Sequence, residues 1–355
     1  MSHPVAIHQL IGKSTPGYSV SNYALALQDA LRSWGYDSTI YASEVDSTLG
    51  KRVQPLNKYR PHKQQILLLH YATVNEVTAW AKQFQEIPFI LCYHNVTPSQ
   101  FFKGMGGRYA MDLEQNIAEL TAFKARSILN IAFSQYSAQT LAELGFANIK
   151  IQPLLMPKTL QMIKPDTAVI NTIQTHPNLL FVGRIAPNKK CEDIIKLLYY
   201  YRQIEPEAKL YLVGPRRHTR PYAEWVQDFV AQYGMQDTVI FTGRVTDAQL
   251  AAYYRRADFF VMMSEHEGFG IPLIEAMRFD VPVLAYASTA VPETMGDAGI
   301  LIQQKQYDVL AELLNQIHTQ PNLRQAIIKT QQTHIQQFEP EKIMAEFQQW
   351  LKEIL

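Results

Sequence analysis

Short apolar runs alternate along this chain with longer stretches in which apolar positions recur every three or four residues. The first pattern suits buried strands and the second suits helices laid against them. Their alternation predicts βαβ units and parallel sheets. In the first half the predicted strands are Val5 to Leu10, Asp37 to Ala42, Gln65 to His70, Phe89 to Tyr93 and Ile128 to Phe133. Two helices stand out between them, Ser21 to Trp34 and Glu114 to Arg126; Ser21 and Asn22 are capping candidates for the first, and Gly35 closes it. A second series begins at Asn178 with LLFVGR and continues with Lys209 to Val213, Val239 to Thr242, Phe259 to Met262, Val283 to Tyr286 and Ile300 to Ile302. Two Rossmann-like α/β domains follow. Leu154 to Pro177, flanked or punctuated by Pro153, Pro157, Pro165 and Pro177, lacks periodicity and reads as the linker. The tail from Pro340 to Leu355 places Ile343, Phe347, Trp350, Leu351 and Ile354 at helical spacing. The expected division is 1–160, 161–338 and a terminal helix over 339–355.

At 355 residues the chain exceeds what a single core usually holds, which agrees with two domains. A hydrophobic content of 47% without a long biased tract points to a globular chain throughout. The formal net charge of +1 supplies no field for nucleic acid. Two cysteines, Cys92 and Cys191, lie far apart in apolar or helical contexts and read as reduced, buried thiols. The N-terminus has no signal-peptide pattern, and no run approaches a membrane span, so a cytoplasmic protein is expected. Lys51, Arg52, Lys58, Arg60 and Lys63 form a basic group that reads first as a solvated face and second as a surface for peripheral contact at the inner face of a membrane.

Ligands of open α/β sheets bind beyond the carboxyl ends of the strands, so the loops there are where chemistry is expected. The segment Ser264 to Met277, SEHEGFGIPLIEAM, is the richest of them. It reads as a strand-to-helix turn in which Gly268 and Gly270 permit positive φ and Pro272 opens the helix. The free N–H groups and dipole of that helix start favour phosphate or partial negative charge. Glu267 before the turn and Glu275 one turn inside the helix flank it, so one carboxylate can accept sugar hydroxyls and the other a ribose. In FVGRIAPNKK, Arg184 and Lys189 stand five apart around a turn and could neutralise a departing pyrophosphate, whereas Lys190 reads as solvated. In IGKSTPGYSVSN, Gly12 and Gly17, the latter followed by Tyr18, allow backbone amides to approach phosphate. His94 ends a predicted strand, and Phe101 and Phe102 after it read first as buried and second as an acceptor groove.

Taken whole, the Glu, seven residues, Glu pattern around Gly-Phe-Gly-Ile-Pro resembles the signature of the retaining glycosyltransferases of family 4, a glycogen-synthase-like and mannosyltransferase-like group with the GT-B fold. The Gly-Arg and Lys pair at Arg184 and Lys189 is similar to that family too, although Lys190 stands where glycine is usual. The resemblance covers nearly the whole length and is strongest from Leu179 to Ile302. It implies two Rossmann-like domains facing a cleft, with a C-terminal helix crossing back to the first. It further implies His94 near the donor sugar, Gly214 near the nucleotide and Val245 against the base, with Thr246 or Asp247 capping the helix that follows. Phe269 to Ile271 would present amides to the sugar beside Glu267.

The implied function is retaining transfer of a hexose from a GDP-, UDP- or dTDP-sugar to a hydroxyl of a glycan or lipid-linked acceptor, as in polysaccharide biosynthesis. Catalytic roles fall to His94, Arg184, Lys189 and Glu267. No cofactor is expected, and in the absence of an Asp-X-Asp motif the two cations replace a divalent ion. Two rivals differ in class. A phosphorylase of the same fold would need a pyridoxal phosphate lysine, for which the chain offers no setting. A noncatalytic sugar-nucleotide-binding or partner protein would not need the full quartet Arg184, Lys189, Glu267 and Glu275.

Overall fold

A computed structural model of the chain describes residues 6–62, 64–72, 75–84, 86–105, 109–156, 159–173, 177–216 and 219–355. Val5, Lys63 and linker residues 157–158 and 174–176 lie outside them. The chain forms two compact units. One comprises Met1–Gln100, Arg108–Pro157 and Phe338–Leu355, the other Phe101–Gly107 and Lys158–Gln337. Each is built on one parallel sheet.

In the first unit the strands are β1 (Ala6–Ser14), β2 (Ile40–Val45), β3 (Val53–Pro55), β4 (Gln65–Tyr71), β5 (Phe89–Tyr93), β6 (Ser127–Ala132) and β7 (Ile149–Ile151), in the order β3-β2-β1-β4-β5-β6-β7. Every residue of β4 and β5 is buried, as central strands covered on both faces must be. The order reverses between β1 and β4, so the loops after these strands and after β5 open at the place where such sheets take ligands. Helix Ser19–Ser33 packs Tyr23, Ala24, Leu27 and Leu31 inward. The fifteen-residue helix Pro340–Ile354 belongs to this unit and buries Ile343, Phe347 and Leu351 in it. The Phe347 ring lies 6.4 Å from that of Trp34, and Gln152 donates its Nε2 to the Ile343 carbonyl at 2.9 Å.

The second unit holds β8 (Asn178–Val182), β9 (Lys209–Val213), β10 (Val239–Gly243), β11 (Phe259–Met262), β12 (Val283–Tyr286) and β13 (Ile300–Ile302), ordered β10-β9-β8-β11-β12-β13. This is the doubly wound arrangement, with its reversal between β8 and β11. Leu179, Phe181, Leu198, Leu212, Val226, Phe259, Val261 and Leu314 lie in its core. No helix among the described residues is long and apolar enough to cross a membrane.

Several expectations are corrected. Strands β3 and β7 went unpredicted, and the helix expected over Glu114–Arg126 is an α-helix over Tyr109–Leu120 followed by a 3-10 segment over Thr121–Arg126. Ser21 and Asn22 lie inside helix Ser19–Ser33, whose cap residue is Tyr18. Gly12 lies within β1 rather than in the loop after it. The supposed linker carries two short helices, Thr159–Met162 and Thr167–Thr172, and is fastened to the second unit through the Asp166 N–H on the Ala248 carbonyl at 2.9 Å. Arg52 is paired at the surface: it reaches Asp29 at 2.5 Å and the Leu25 carbonyl at 2.9 Å while its side chain stays 38% exposed. Lys51, Lys58 and Arg60 are exposed.

Candidate functional site

In the second unit the loops after β8 and β11, neighbours at the reversal of strand order, are tied to each other. Asn188 is the buried fastener. Its Nδ2 donates to the His266 carbonyl at 3.1 Å, and its own carbonyl accepts from Glu265 N–H at 2.8 Å. The loop after β12 and the short helix Val291–Met295 that follows it hold the other side: Thr289 Oγ1 accepts from Glu267 N–H at 2.8 Å, and Thr294 Oγ1 donates to the Phe269 carbonyl at 2.5 Å. Ser288 donates to the Ser264 carbonyl at 2.6 Å. The sequence reading named none of these four clamping residues.

That frame sets Lys189 on Glu267. The ammonium meets both carboxylate oxygens at 2.6 Å, and the two side chains are 18% and 9% exposed, so the pair is largely withdrawn from water. The sequence assigned these charges to different parts of a ligand, and in this structure they neutralise each other. His266 beside them is held down to about 4 by burial and then by the Lys189 charge. Arg184 sits over the Phe102 ring, 5.9 Å from its centroid. Phe101, from the same 3-10 segment Ser99–Phe102, lies 6.1 Å from the His266 ring. Phe102 is buried, as the first reading of that residue expects, and Phe101 is half-buried.

Lys190 is corrected outright. It is not a solvated loop residue but a left-handed one, at φ 51° and ψ 49°, as the cap of helix Cys191–Tyr201. That conformation explains why glycine suits the position. Its ammonium reaches Glu192 at 3.5 Å and Glu265 at 3.6 Å. Burial pulls its pKa down, but the surrounding carboxylates outweigh that and hold it above the ordinary lysine value. Asp193 next to it is buried, which alone would raise its pKa; bonds from Lys305 at 2.7 Å and Tyr307 at 2.8 Å keep it below the ordinary value.

Gly270 takes a φ of +102° and starts helix Ile271–Arg278, while Gly268 does not adopt a positive φ. Pro272 is the second helical residue, where no N–H is needed. Ile271 is the first. Glu275 lies one turn inside this helix and accepts from Tyr254 Oη at 2.8 Å; burial raises its pKa although Tyr254 and Arg278 pull the other way. Gly214 directly follows β9, its N–H on the Gly243 carbonyl at 3.0 Å, and a Cβ there would come within 1.9 Å of the Gly183 carbonyl. Only glycine fits that crossing of strand ends. Val245 is half-buried two residues beyond β10, and Thr246 rather than Asp247 caps helix Asp247–Arg256, in a capping box with Gln249.

In the first unit, Gly17 and Tyr18 lie between β1 and helix Ser19–Ser33. Their N–H groups are both committed locally, Gly17 to Asn22 Oδ1 at 3.3 Å and Tyr18 to the Thr15 carbonyl at 3.2 Å. His94 follows β5 directly, its N–H bonded to the Tyr71 carbonyl at 2.8 Å. The ring packs against Phe133 at 4.7 Å and Tyr23 at 5.7 Å, and its Nε2 meets His70 Nδ1 at 3.0 Å. Burial drives His94 down to about 3, so the ring is neutral at ordinary pH. Cys92 and Cys191 are buried free thiols.

Residues 164–334, most of the second unit, match the family model described as glycosyl transferases group 1. A D-inositol 3-phosphate glycosyltransferase of Streptomyces griseus subsp. griseus is 23% identical over 79% of this chain and 65% of its own. An O-antigen chain mannosyltransferase B of Escherichia coli is 32% identical over 37% of this chain and 34% of its own. The matched regions thus span less than two thirds of these relatives. The solved Anabaena protein HepE, in complex with UDP and glucose, superposes with a TM-score of 0.77 at 16% identity, covering 98% of this chain and 99% of that one. The fold is GT-B, and residues 164–334 within it are similar to the group 1 glycosyl transferases.

Proposed function

We propose that the protein is a retaining glycosyltransferase of family 4, carrying a hexose from a nucleoside diphosphate sugar to a hydroxyl of a glycan or lipid-linked acceptor. The observation that carries this reading is the withdrawn Lys189 and Glu267 pair with Arg184 on the same loop, at the carboxyl ends of β8 and β11. A diphosphate leaving group gains charge as the bond to the anomeric carbon breaks, and cations in a water-poor setting stabilise that charge far better than in bulk solvent. Arg184 and Lys189 would draw off the diphosphate, Glu267 and the amides of Phe269 to Ile271 would hold the sugar, and Glu275 the ribose. Gly214 and Val245 would lie against the nucleotide. The printed names of the relatives, glycosyltransferases acting on an inositol phosphate or an O-antigen chain, and the UDP and glucose of HepE support the substrate classes.

The expected course is front-face attack. The acceptor oxygen bonds to the anomeric carbon as the bond to the leaving phosphate breaks, and that phosphate oxygen takes the acceptor's proton. The cations make a divalent ion unnecessary. Where the acceptor is lipid-linked, the exposed Lys51, Lys58 and Arg60 would meet an anionic membrane face.

The test is product stereochemistry. Incubation with UDP-glucose, GDP-mannose and dTDP-rhamnose in excess chelator, with NMR of the new glycosidic bond, should give a product with the anomeric configuration of the donor that reacts. An inverted product, or activity lost in chelator and restored by Mg²⁺ or Mn²⁺, would overturn the mechanism. Binding of a sugar nucleotide with neither transfer nor hydrolysis would favour the noncatalytic reading.

A further inference from the structure

A chain of four hydrogen-bonding groups runs through the centre of the first sheet, and its direction is fixed from one end. Gln9 in β1 donates Nε2 to the Ala24 carbonyl at 3.0 Å, which only accepts, so its Oε1 faces the other way. His70 in β4 lies against that oxygen with Nε2 at 2.9 Å, and must donate to it. A neutral imidazole that donates at Nε2 can only accept at Nδ1. His94 Nε2, 3.0 Å from His70 Nδ1, is therefore the donor of the last link. The other nitrogen of His94, Nδ1, is left with a lone pair, and among the described residues that atom is buried with no hydrogen-bond partner. Such atoms are rare in native proteins and ask for an explanation. Burial, and for His70 the neighbouring His94 as well, keeps both rings well below the ordinary histidine pKa, so neither becomes a second donor near neutrality. Tyr23 closes the arrangement, its ring edge-on to both imidazoles at 5.7 Å.

We propose that His70, oriented by Gln9, is a positioning residue that locks His94 in its Nε2–H form, so that Nδ1 accepts a hydrogen bond from a saccharide hydroxyl and offers nothing to a phosphate or carboxylate. The proposal deepens the glycosyltransferase reading and rests on it for the class of ligand. The lock itself is independent of that reading. The hydroxyl belongs either to the sugar of the nucleotide or to the acceptor glycan. Both carry the chemistry.

The experiment uses the full chain labelled with ¹⁵N-histidine. Ring ¹⁵N spectra of the wild type should show His94 protonated at Nε2 only. His70→Phe should release the lock and give mixed tautomers, and His70→Asn, whose amide oxygen can accept in place of Nδ1, should restore it. Adding UDP-glucose, GDP-mannose, free glucose or free mannose should move the Nδ1 resonance, and UDP or GDP alone should not. Response to the sugar nucleotides assigns the hydroxyl to the donor, and response to free hexose alone assigns it to the acceptor. His70→Phe should weaken the responding saccharide about tenfold, roughly one hydrogen bond, with the Kd for UDP or GDP unchanged. A wild-type His94 protonated at Nδ1, a tautomer indifferent to His70→Phe, or an Nδ1 resonance that no saccharide moves would each overturn the proposal. If nucleotides and sugar nucleotides fail to bind while the lock is seen and free hexose still moves the Nδ1 resonance, the enzymatic reading falls and the positioning role of His70 stands.

Discussion

Breaking the Lys189 and Glu267 pair on one side leaves a charge stranded in a site with little access to water, whereas removing both leaves none. Single removal is therefore the more damaging change. Lys189→Met and Glu267→Gln should each cost about 3 kcal/mol of stability, and the double variant clearly less than the sum. Urea denaturation of the four proteins measures it. Additive losses would mean that the charges do not depend on each other. Activity should fall at least ~100-fold in each single variant, far more than its stability loss explains. Turnover that merely follows melting temperature would remove Lys189 from the chemistry.

Buried neutral histidines also set a pH dependence. Their folded pKa values lie below the unfolded value, with His94 at about 3 and His266 at about 4 and His70 also depressed. The stability they contribute is complete above about pH 6.5 and is lost as the pH falls towards the folded values. Denaturation at pH 7.5 and at pH 5.0 should show weaker folding at the lower pH, because the unfolded chain then binds protons that the folded one refuses. Equal stability at the two values would contradict the burial of these rings.

Among the elements, those covered on both faces were the legible ones. β5, β9, β11 and β12 begin and end where the apolar runs do, since a central parallel strand has no polar face to blur its limits, whereas β13, a three-residue edge strand, was legible because ILI is apolar throughout. β3 and β7 were not legible. Each is a three-residue strand at the edge of the first sheet, and VQP and IKI carry too few apolar positions for a period to register. The candidate site shows the same division. Arg184, Lys189, Glu267 and Glu275 were visible because charges beside glycines at strand ends are conspicuous, but Asn188, Ser288, Thr289 and Thr294 act through backbone carbonyls and amides that no sequence pattern displays. His70 and Gln9 passed as members of apolar strands. Gly214 shows how strictly such loop contacts are set. At φ +152°, with the Gly183 carbonyl 1.9 Å from any added Cβ, Gly214→Ala must push apart the ends of β8 and β9. A loss of about 3 kcal/mol, or roughly 6–12 °C in melting temperature for a domain of this size, is expected. A variant that melts with the wild type would show that the strand ends move apart freely.

At the scale of the molecule, the chain does not hand over from one unit to the other once. The Phe101–Gly107 segment belongs to the second unit though residues on both sides of it belong to the first, and Phe338–Leu355 returns to the first after the second is complete. The terminal helix is therefore part of the first unit's core rather than an appendage. It buries Phe347 fully, and through the Ile343 carbonyl it holds Gln152, which in turn accepts from Tyr23 Oη at 2.9 Å beside the two histidines. Because each unit has its own sheet and core, damage to this helix should be felt by one of them. Phe347→Ala removes a buried aromatic ring and should cost about 3–5 kcal/mol. Scanning calorimetry should show a transition lowered for the first unit while that of the second stays in place, with ¹⁵N-histidine signals of His70 and His94 broadening before that of His266. A single transition moving as one would mean that the two units unfold as one cooperative body, and the last eighteen residues would then stabilise the whole chain rather than the half they complete.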